Sequence, residues 1–212
     1  MLAPTSVADA SHWIKSDGLI AIVRGNFPLS HLLAIAETLH CNGLAVMEIT
    51  LNSAGALEAI GRLREQAGDD MLIGAGTVRT LADLEAAWDA GAQFSVAPNF
   101  DAATVELALA SGMLHLPGVF TATEAETAFR AGCRMVKLFP SDVVGPKYLA
   151  ALRAPLPDIE FVPTGGIDRH NIIEYRRLGA VAAGIGSALV TGPQQTMADL
   201  AERAQALRQG WA

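Results

Sequence analysis

The sequence predicts an α/β fold, a single (β/α)8 TIM barrel with an extra N-terminal helix. Short apolar runs alternate with amphipathic segments along the chain, and glycines separate many of these units. In addition, 51% of the 212 residues are hydrophobic and only 17% are charged, which suits a sheet buried on both faces. Since a single α/β barrel can occupy this length, we expect one domain over residues 1–212.

Eight strand-like runs are each followed by a helical pattern. We predict strands near residues 19–24, 45–50, 72–75, 94–97, 114–116, 134–139, 160–162 and 181–185. We expect helices near residues 29–40, 54–67, 81–90, 102–111, 122–131, 146–154, 169–178 and 194–209, and the extra helix near 7–15. The strands are hydrophobic on both faces, as is typical of parallel strands covered by helices.

Glycines end several of the predicted helices, where a left-handed backbone closes the last turn. Gly91, Gly112 and Gly132 follow one another at steps of about 20 residues, the length of a short βα unit. A doubly wound open sheet is the alternative, but no Gly-x-Gly-x-x-Gly motif follows the first strand. In a barrel, functional residues lie at the C-terminal ends of the strands and in the loops that follow.

Charge and hydropathy exclude several function classes. The net charge is −7 and the 15 lysines and arginines are scattered, so we predict no nucleic-acid binding. No apolar run approaches the roughly 20 residues of a membrane span, and the start lacks a secretion signal, so we expect a cytoplasmic protein. Cys41 and Cys133 show no disulfide or metal spacing and are expected to be buried free thiols.

Lys137 is the most informative residue. It lies in the apolar strand predicted at 134–139, in a chain with three lysines. Burial disfavours an ammonium and lowers its pKa, which leaves free amine to attack a carbonyl. Pro140 follows closely and ends the strand, so we expect Lys137 to point into the barrel near its active rim. The alternative is a lysine that reaches solvent at the strand end.

Glu48 is also a single charge among apolar neighbours. A carboxylate pointing into a barrel is costly unless it is paired or has a chemical role. We expect it to lie near the amine of Lys137 and to act as a general acid/base. A structural ion pair with Lys137 would need the same geometry and remains an alternative.

Two glycine-rich loops predict a phosphate site. Gly165 and Gly166 follow the seventh strand, and Gly186 and Ser187 follow the eighth. Barrels often bind phosphate at these two positions, because glycine lets backbone amides approach the oxygens. Either loop alone is a weak signal, since paired glycines often form only a turn, but the two together indicate a phosphorylated ligand.

Other candidates follow the first, third and fourth strands. Arg24 is a candidate anion clamp, with a surface arginine as the alternative. Thr77 is placed to offer a hydroxyl to a carboxylate, and Pro98 lies at the end of the fourth strand. The five histidines have no ligand spacing, and His115 is expected to be a core residue, so we predict no metal site and no cofactor.

In this order, these residues resemble the class I 2-keto-3-deoxy-6-phosphogluconate (KDPG) and 2-keto-3-deoxy-6-phosphogalactonate (KDPGal) aldolases. The resemblance runs from about Ile20 to Leu189. Its matching segments are residues 21–25, 47–53, 73–78, 97–99, 117–118, 136–140, 163–167 and 184–187. The resemblance implies a barrel enzyme, usually a homotrimer, that binds pyruvate and a phosphorylated keto acid.

The resemblance also implies roles for individual residues. Lys137 matches the Schiff-base lysine of the family, and Glu48 matches its general acid/base. Arg24 and Thr77 match substrate-binding positions, with Thr77 near the pyruvate carboxylate. The family's phosphate site is matched by Gly166, Gly186 and Ser187.

The choice of substrate rests on a few positions. Asn52 and Ser53 look like the galactonate type, as do residues 145–148, whereas the gluconate type carries arginine in place of Asn52. Thr164 instead looks like the gluconate type. We expect KDPGal as the substrate, with KDPG or 4-hydroxy-2-oxoglutarate as alternatives.

Two other function classes share parts of the pattern. A phosphosugar isomerase or epimerase on the same barrel would share the late glycine loops but would not require Lys137. A non-catalytic phosphosugar-binding barrel is the other alternative. The combination of Lys137 with Glu48 favours the aldolase.

Overall fold

The computed structural model of the chain describes residues 6–212. Its strands are β1 (Leu19–Val23), β2 (Val46–Thr50), β3 (Leu72–Gly76), β4 (Phe94–Val96), β5 (Leu114–Leu116), β6 (Gly118–Val119), β7 (Met135–Leu138), β8 (Glu160–Pro163) and β9 (Ala183–Ile185). Its helices are α1 (Val7–Asp17), α2 (Leu29–Cys41), α3 (Ala56–Ala67), α4 (Leu81–Asp89), α5 (Ala102–Ser111), α6 (Ala122–Arg130), α7 (Pro146–Arg153), α8 (Ile172–Arg177) and α9 (Met197–Trp211). None of the helices within this range is both long and apolar enough to cross a membrane.

The predicted α/β class is confirmed, because the strand pairs within residues 6–212 are all parallel. Six strands form one sheet in the order β5-β4-β3-β2-β1-β9, and three form a second in the order β6-β7-β8. A single bridge between Thr164 and Gly184 joins the end of β8 to β9. At the other junction Pro117 separates β5 from β6, so the chain passes directly from one sheet to the other.

The differences from the prediction include one additional strand and two helix boundaries. The residues after Pro117 form a further short strand, β6, which pairs with β7. Helix α8 begins at Ile172 and not near residue 169, because the Asp168 carboxylate accepts hydrogen bonds from the amides of His170 and Asn171 and holds a turn there. Helix α9 begins at Met197 and not near 194, because the Thr196 hydroxyl caps it.

The cysteine prediction is half right. Cys133 is buried as expected, but Cys41 is exposed. Cys41 is the last residue of α2, where the helix has turned its final position away from the core. The expectation of a buried thiol is therefore wrong at Cys41.

Buried side chains form two clusters on opposite faces of the strands. The inner cluster draws on strands of both sheets and on α1: Ala10, Ile14, Ile20, Val46, Leu72, Phe94, Val96, Leu114, Leu116, Met135, Val162 and Ala182. The larger outer cluster lies between the strands and the surrounding helices and includes Met47, Ile49, Val136 and Leu138. Because successive strand residues point to opposite faces, residues two positions from an inner-cluster member share its face.

Candidate active site

Glu48 and Lys137 lie on the inner face of the fold. Glu48 follows Val46 by two residues on β2, and Lys137 follows Met135 by two residues on β7. Both are buried, with 2% and 5% of their surface exposed. Strand alternation thus brings two ionisable groups from different sheets to the same face.

Burial shifts the pKa of the Glu48 carboxyl. Loss of solvation raises its pKa to about 7, and the positive charges of Lys137 and Arg24 offset only part of that rise. A carboxyl with a pKa near neutrality can both hold and release a proton at physiological pH. This property is what general acid/base catalysis requires.

The pKa of the Lys137 amine is shifted in the opposite direction, to below its ordinary value. Burial lowers its pKa, the Glu48 carboxylate raises it, and the charge of Arg24 lowers it further. Its Nζ lies 4.6 Å from the centre of the Phe139 ring. Glu48 and Lys137 are not among the ion pairs of the described residues, so they interact at longer range than direct contact.

Gly76 makes room for the Glu48 carboxylate. A methyl group on Gly76 would lie 2.4 Å from Glu48 Oε1 and 3.1 Å from Thr50 Cγ2. The first distance is far inside van der Waals contact, so any side chain at Gly76 would displace the carboxylate. Sequence reasoning missed this contact, because Gly76 and Glu48 lie on different strands and no local pattern connects them.

The loops after β1 and β2 are tied together beside Glu48. The amide of Gly25 donates to Ser53 Oγ at 3.0 Å, and Ser53 Oγ lies 3.0 Å from Thr50 Oγ1. Arg24 and Asn52, both exposed, flank this link in the two loops. Arg24 is near enough to shift the pKa of both Glu48 and Lys137. Asn52 lies two residues after the end of β2.

Thr77 and Pro98 follow the neighbouring strands β3 and β4, and both are half-buried. Thr77 has a φ of 60°, a left-handed conformation that is unfavourable for a β-branched residue. Such strain costs about 1–3 kcal/mol and is concentrated at functional sites. A methyl group on Gly118 would lie 2.3 Å from the Pro98 carbonyl carbon. Glycine at position 118 therefore allows the loop after β4 to approach β6, where Gly118 pairs with Lys137 of β7.

The first glycine loop follows β8. Gly165 and Gly166 have φ values of 97° and 64°, which favour glycine at both positions. A methyl group on Gly166 would also lie 2.3 Å from Asp142 Cβ. Sequence reasoning missed Asp142, which follows β7 and brings an acidic side chain against this loop.

The second glycine loop lies beside the first. Thr164, which is buried, bridges to Gly184, and a methyl group on Gly184 would lie 2.5 Å from Thr164 Oγ1. Gly186 and Ser187 follow two and three residues later, and Ser187 is exposed. The structure therefore brings the two loops predicted for phosphate to neighbouring strand ends.

The remaining ionisable candidates show no ligand set. Across residues 6–212, no group of three or more His, Cys, Asp or Glu side chains could hold a metal ion. His115 is buried, its Nδ1 lies 2.8 Å from Ser95 Oγ, and burial lowers its pKa to about 4. His115 is therefore a hydrogen-bonded core residue, as expected.

Comparison with known proteins identifies relatives of this chain. The family model of KDPG and KHG aldolases matches residues 12–205. A probable 2-dehydro-3-deoxy-6-phosphogalactonate aldolase from Rhizobium meliloti is 39% identical over 187 residues, 88% of this chain and 87% of that protein. A 2-dehydro-3-deoxy-phosphogluconate aldolase from Pseudomonas aeruginosa is 43% identical over 145 residues, 68% of this chain and 66% of that protein.

Solved structures agree with the sequence relatives. A native KDPGal structure superposes with a TM-score of 0.86 at 34% identity, over 91% of this chain and 93% of the other. A protein cage designed by fusing symmetric oligomeric domains superposes with a TM-score of 0.87 at 35% identity, over 92% of this chain and 72% of that one. The similarity to the cage is consistent with oligomeric assembly. The chain belongs to the KDPG and KHG aldolase family, and its enzyme class is that of the carbon–carbon lyases.

Proposed function

We propose that the chain is a class I aldolase that cleaves KDPGal to pyruvate and glyceraldehyde 3-phosphate through a Schiff base on Lys137. The observation that carries this proposal is the buried amine of Lys137, whose pKa is lowered by burial and by the charge of Arg24. A neutral amine is the nucleophile that forms an imine with a keto group. The relatives named above supply the substrate class, a phosphorylated 2-keto-3-deoxy acid.

The proposed reaction has two halves. Lys137 attacks the C2 keto group, water is lost, and the resulting iminium draws the electrons of the C3–C4 bond as that bond breaks. Glu48, through a water molecule, takes the proton of the C4 hydroxyl, and glyceraldehyde 3-phosphate leaves. The enamine is then protonated at C3, and hydrolysis of the imine releases pyruvate and restores the amine.

The other site residues are proposed to bind substrate. Thr77 and Arg24 hold the anionic carboxylate end, and Pro98 lines the same end of the site. The phosphate is bound by the two adjacent loops, through Gly165, Gly166, Gly186 and Ser187. Glycine at three of these four positions leaves the amides accessible to the phosphate oxygens.

Epimer choice is proposed to favour KDPGal through Asn52. Asn52 is exposed in the loop after β2, whereas Thr164 is buried directly after β8. Asn52→Arg should shift the ratio of kcat/KM toward KDPG, as the gluconate-type residue implies. If wild type and variant had the same ratio of kcat/KM between the two epimers, this role of Asn52 would be contradicted. If the wild type cleaved 4-hydroxy-2-oxoglutarate faster than KDPGal, then 4-hydroxy-2-oxoglutarate would be its substrate.

We also propose that residues 1–212 form one domain, in which the two sheets close into a barrel with α1 as an extra helix at its N-terminal end. The barrel has eight strands when β5 and β6 are counted as one strand interrupted at Pro117. The inner cluster supports this closure, since it draws on both sheets and on α1, as does the bridge from Thr164 to Gly184. A cytoplasmic homotrimer is the assembly that the family resemblance implies. Sedimentation equilibrium, which measures the mass of the assembly, tests the trimer.

Reductive trapping tests the central proposal. The protein is incubated with pyruvate and borohydride, and its intact mass is measured. We expect an adduct at Lys137 in the wild type and none in Lys137→Ala, which should also lose turnover. The matched control is Lys147→Ala, which removes an exposed lysine and should still form the adduct.

Two outcomes would contradict the Schiff base. One is substantial turnover by Lys137→Ala. The other is loss of wild-type activity on adding a chelator, which would indicate a metal-dependent aldolase. Absence of any adduct in the wild type would point instead to an isomerase, an epimerase or a binding protein on the same fold.

A further inference from the structure

The turn that contains Gly186 and Ser187 is held from behind by side chains outside the predicted site. The amides of Leu189 and Val190 both donate to the Gly186 carbonyl, at 2.9 and 3.0 Å, so residues 186–190 form one helical turn. We propose that Gln195, Asp199 and Arg203 are positioning residues that hold this turn ready to bind the substrate phosphate. The inference rests on the proposed function, because it assumes that this turn binds phosphate.

Gln195 connects the turn to α9. Its Oε1 accepts from the amide of Thr191 at 2.9 Å, and its Nε2 donates to the Leu189 carbonyl at 2.9 Å and to Asp199 Oδ2 at 2.8 Å. The side chain is buried, with 9% exposed. Because leaving a buried side-chain amide without hydrogen-bond partners is unfavourable, these bonds define one orientation for Gln195.

Asp199 and Arg203 extend the contact along α9. Arg203 Nε donates to Asp199 Oδ2 at 2.8 Å, and Arg203 Nη1 donates to the Ala188 carbonyl at 3.3 Å. The hydrogen bonds from Arg203 and Gln195 lower the pKa of Asp199, so it stays ionised at neutral pH. One carboxylate oxygen thus joins both side chains that reach the turn.

This arrangement determines the direction in which the turn presents its amides. Within a helical turn, carbonyls point toward the C-terminal end and amides toward the N-terminal end. Gln195 and Arg203 bind two of the carbonyls, those of Leu189 and Ala188. Within residues 6–212, no backbone carbonyl accepts a hydrogen bond from the amide of Ser187 or Ala188 at the opposite end. A turn held in this way needs no reorganisation when phosphate binds.

The test separates phosphate binding from chemistry. Gln195→Leu and Asp199→Asn should each raise KM for the phosphorylated substrate, and Ki for inorganic phosphate as a competitor, by roughly 3- to 10-fold, the scale of one or two hydrogen bonds. The rate of borohydride trapping with pyruvate, which carries no phosphate, should stay within about twofold of wild type, on the scale of ordinary surface substitutions. Glu202→Gln is the matched control: it removes one carboxylate charge three residues further along α9, where the side chain is exposed.

Ser187→Pro, which removes both the amide and the hydroxyl at the first position of the turn, distinguishes failure of this inference from failure of the proposed function. If Ser187→Pro raises KM and Ki while Gln195→Leu and Asp199→Asn leave both unchanged, the positioning role is overturned and the phosphate site stands. If none of the three variants changes KM or Ki, phosphate binds elsewhere and both proposals fail. If Gln195→Leu and Asp199→Asn lose melting temperature, kcat and trapping together with no selective change in KM, the role of these residues is structural and the inference is overturned.

Discussion

The two ends of the inner face are built from the same strands but differ in chemistry. At the N-terminal end, Val46 and Met135 belong to an apolar cluster that also includes Ile14 of α1. Two residues further along the same strands, Glu48 and Lys137 occupy equivalent positions on the same face. On the same face of the same strands, the residues near the N-terminal end thus pack in the apolar cluster, and those two positions further along are the candidate catalytic residues.

Burial has opposite energetic consequences at the two ends. Removing apolar side chains from water stabilises the fold by roughly 25 cal/mol per Å². Removing ionisable groups from water is unfavourable, and this is seen in the raised pKa of Glu48 and the lowered pKa of Lys137. The apolar end stabilises the fold, whereas the polar end reduces stability and supplies reactivity.

The largest expected effect lies at the polar end. Glu48→Gln should lower kcat by roughly 10²–10⁴-fold, because the amide cannot transfer the proton. Steady-state rates with KDPGal measure the effect, and Glu58→Gln, at an exposed position on α3, is the control. A loss of less than about tenfold would assign the proton transfer to another group.

Substitutions at two glycines of β3, Gly74 and Gly76, test the difference between the two ends directly. A methyl group on Gly76 would lie 2.4 Å from Glu48 Oε1, and one on Gly74 would lie 2.4 Å from the Phe94 ring. Overpacking costs typically about 1–3 kcal/mol. We expect Gly74→Ala to lower the free energy of unfolding by that amount, and Gly76→Ala to lower kcat by roughly 10- to 100-fold through displacement of the carboxylate.

Urea unfolding and steady-state kinetics of both glycine variants make this comparison. The two substitutions are chemically identical and neither site has a positive φ, so backbone strain does not separate them. If Gly76→Ala kept full activity while Gly74→Ala lost it, the division between the two ends would be wrong.

The smallest expected effect is the pH dependence of stability. The pKa of Glu48 rises from 4.5 to about 7 on folding, so folding favours its protonated form. Its contribution to stability is fully present below pH 4.5 and is lost as the pH rises through about 7. Glu48→Gln should therefore gain stability relative to wild type between pH 5 and pH 8. Urea titrations at both pH values measure the gain, and a difference that stays constant or falls with pH would show that the carboxylate is charged and paired in the folded state.

Sequence patterns predicted local structure and the family well. Apolar runs located the strands, isolated charges in two of them singled out Glu48 and Lys137, and the resemblance to the KDPG and KDPGal aldolases is confirmed by the comparisons. The predicted helix boundary was wrong where a side chain accepts hydrogen bonds from backbone amides, as Asp168 does before α8. That competition depends on the geometry of one turn, which hydrophobic periodicity does not register.

The sequence by itself determined the strand and helix periods, which residues of one strand share a side, and the order of the functional segments. These properties follow from the backbone geometry of each segment alone. Only the tertiary structure decided that Gly76 leaves room for Glu48, that Asp142 packs on the Gly165–Gly166 loop, and that Gln195 reaches the turn after β9. Contacts of this kind, and the pKa shifts that burial causes, depend on the distances between segments remote in sequence, which exist only once the chain has folded.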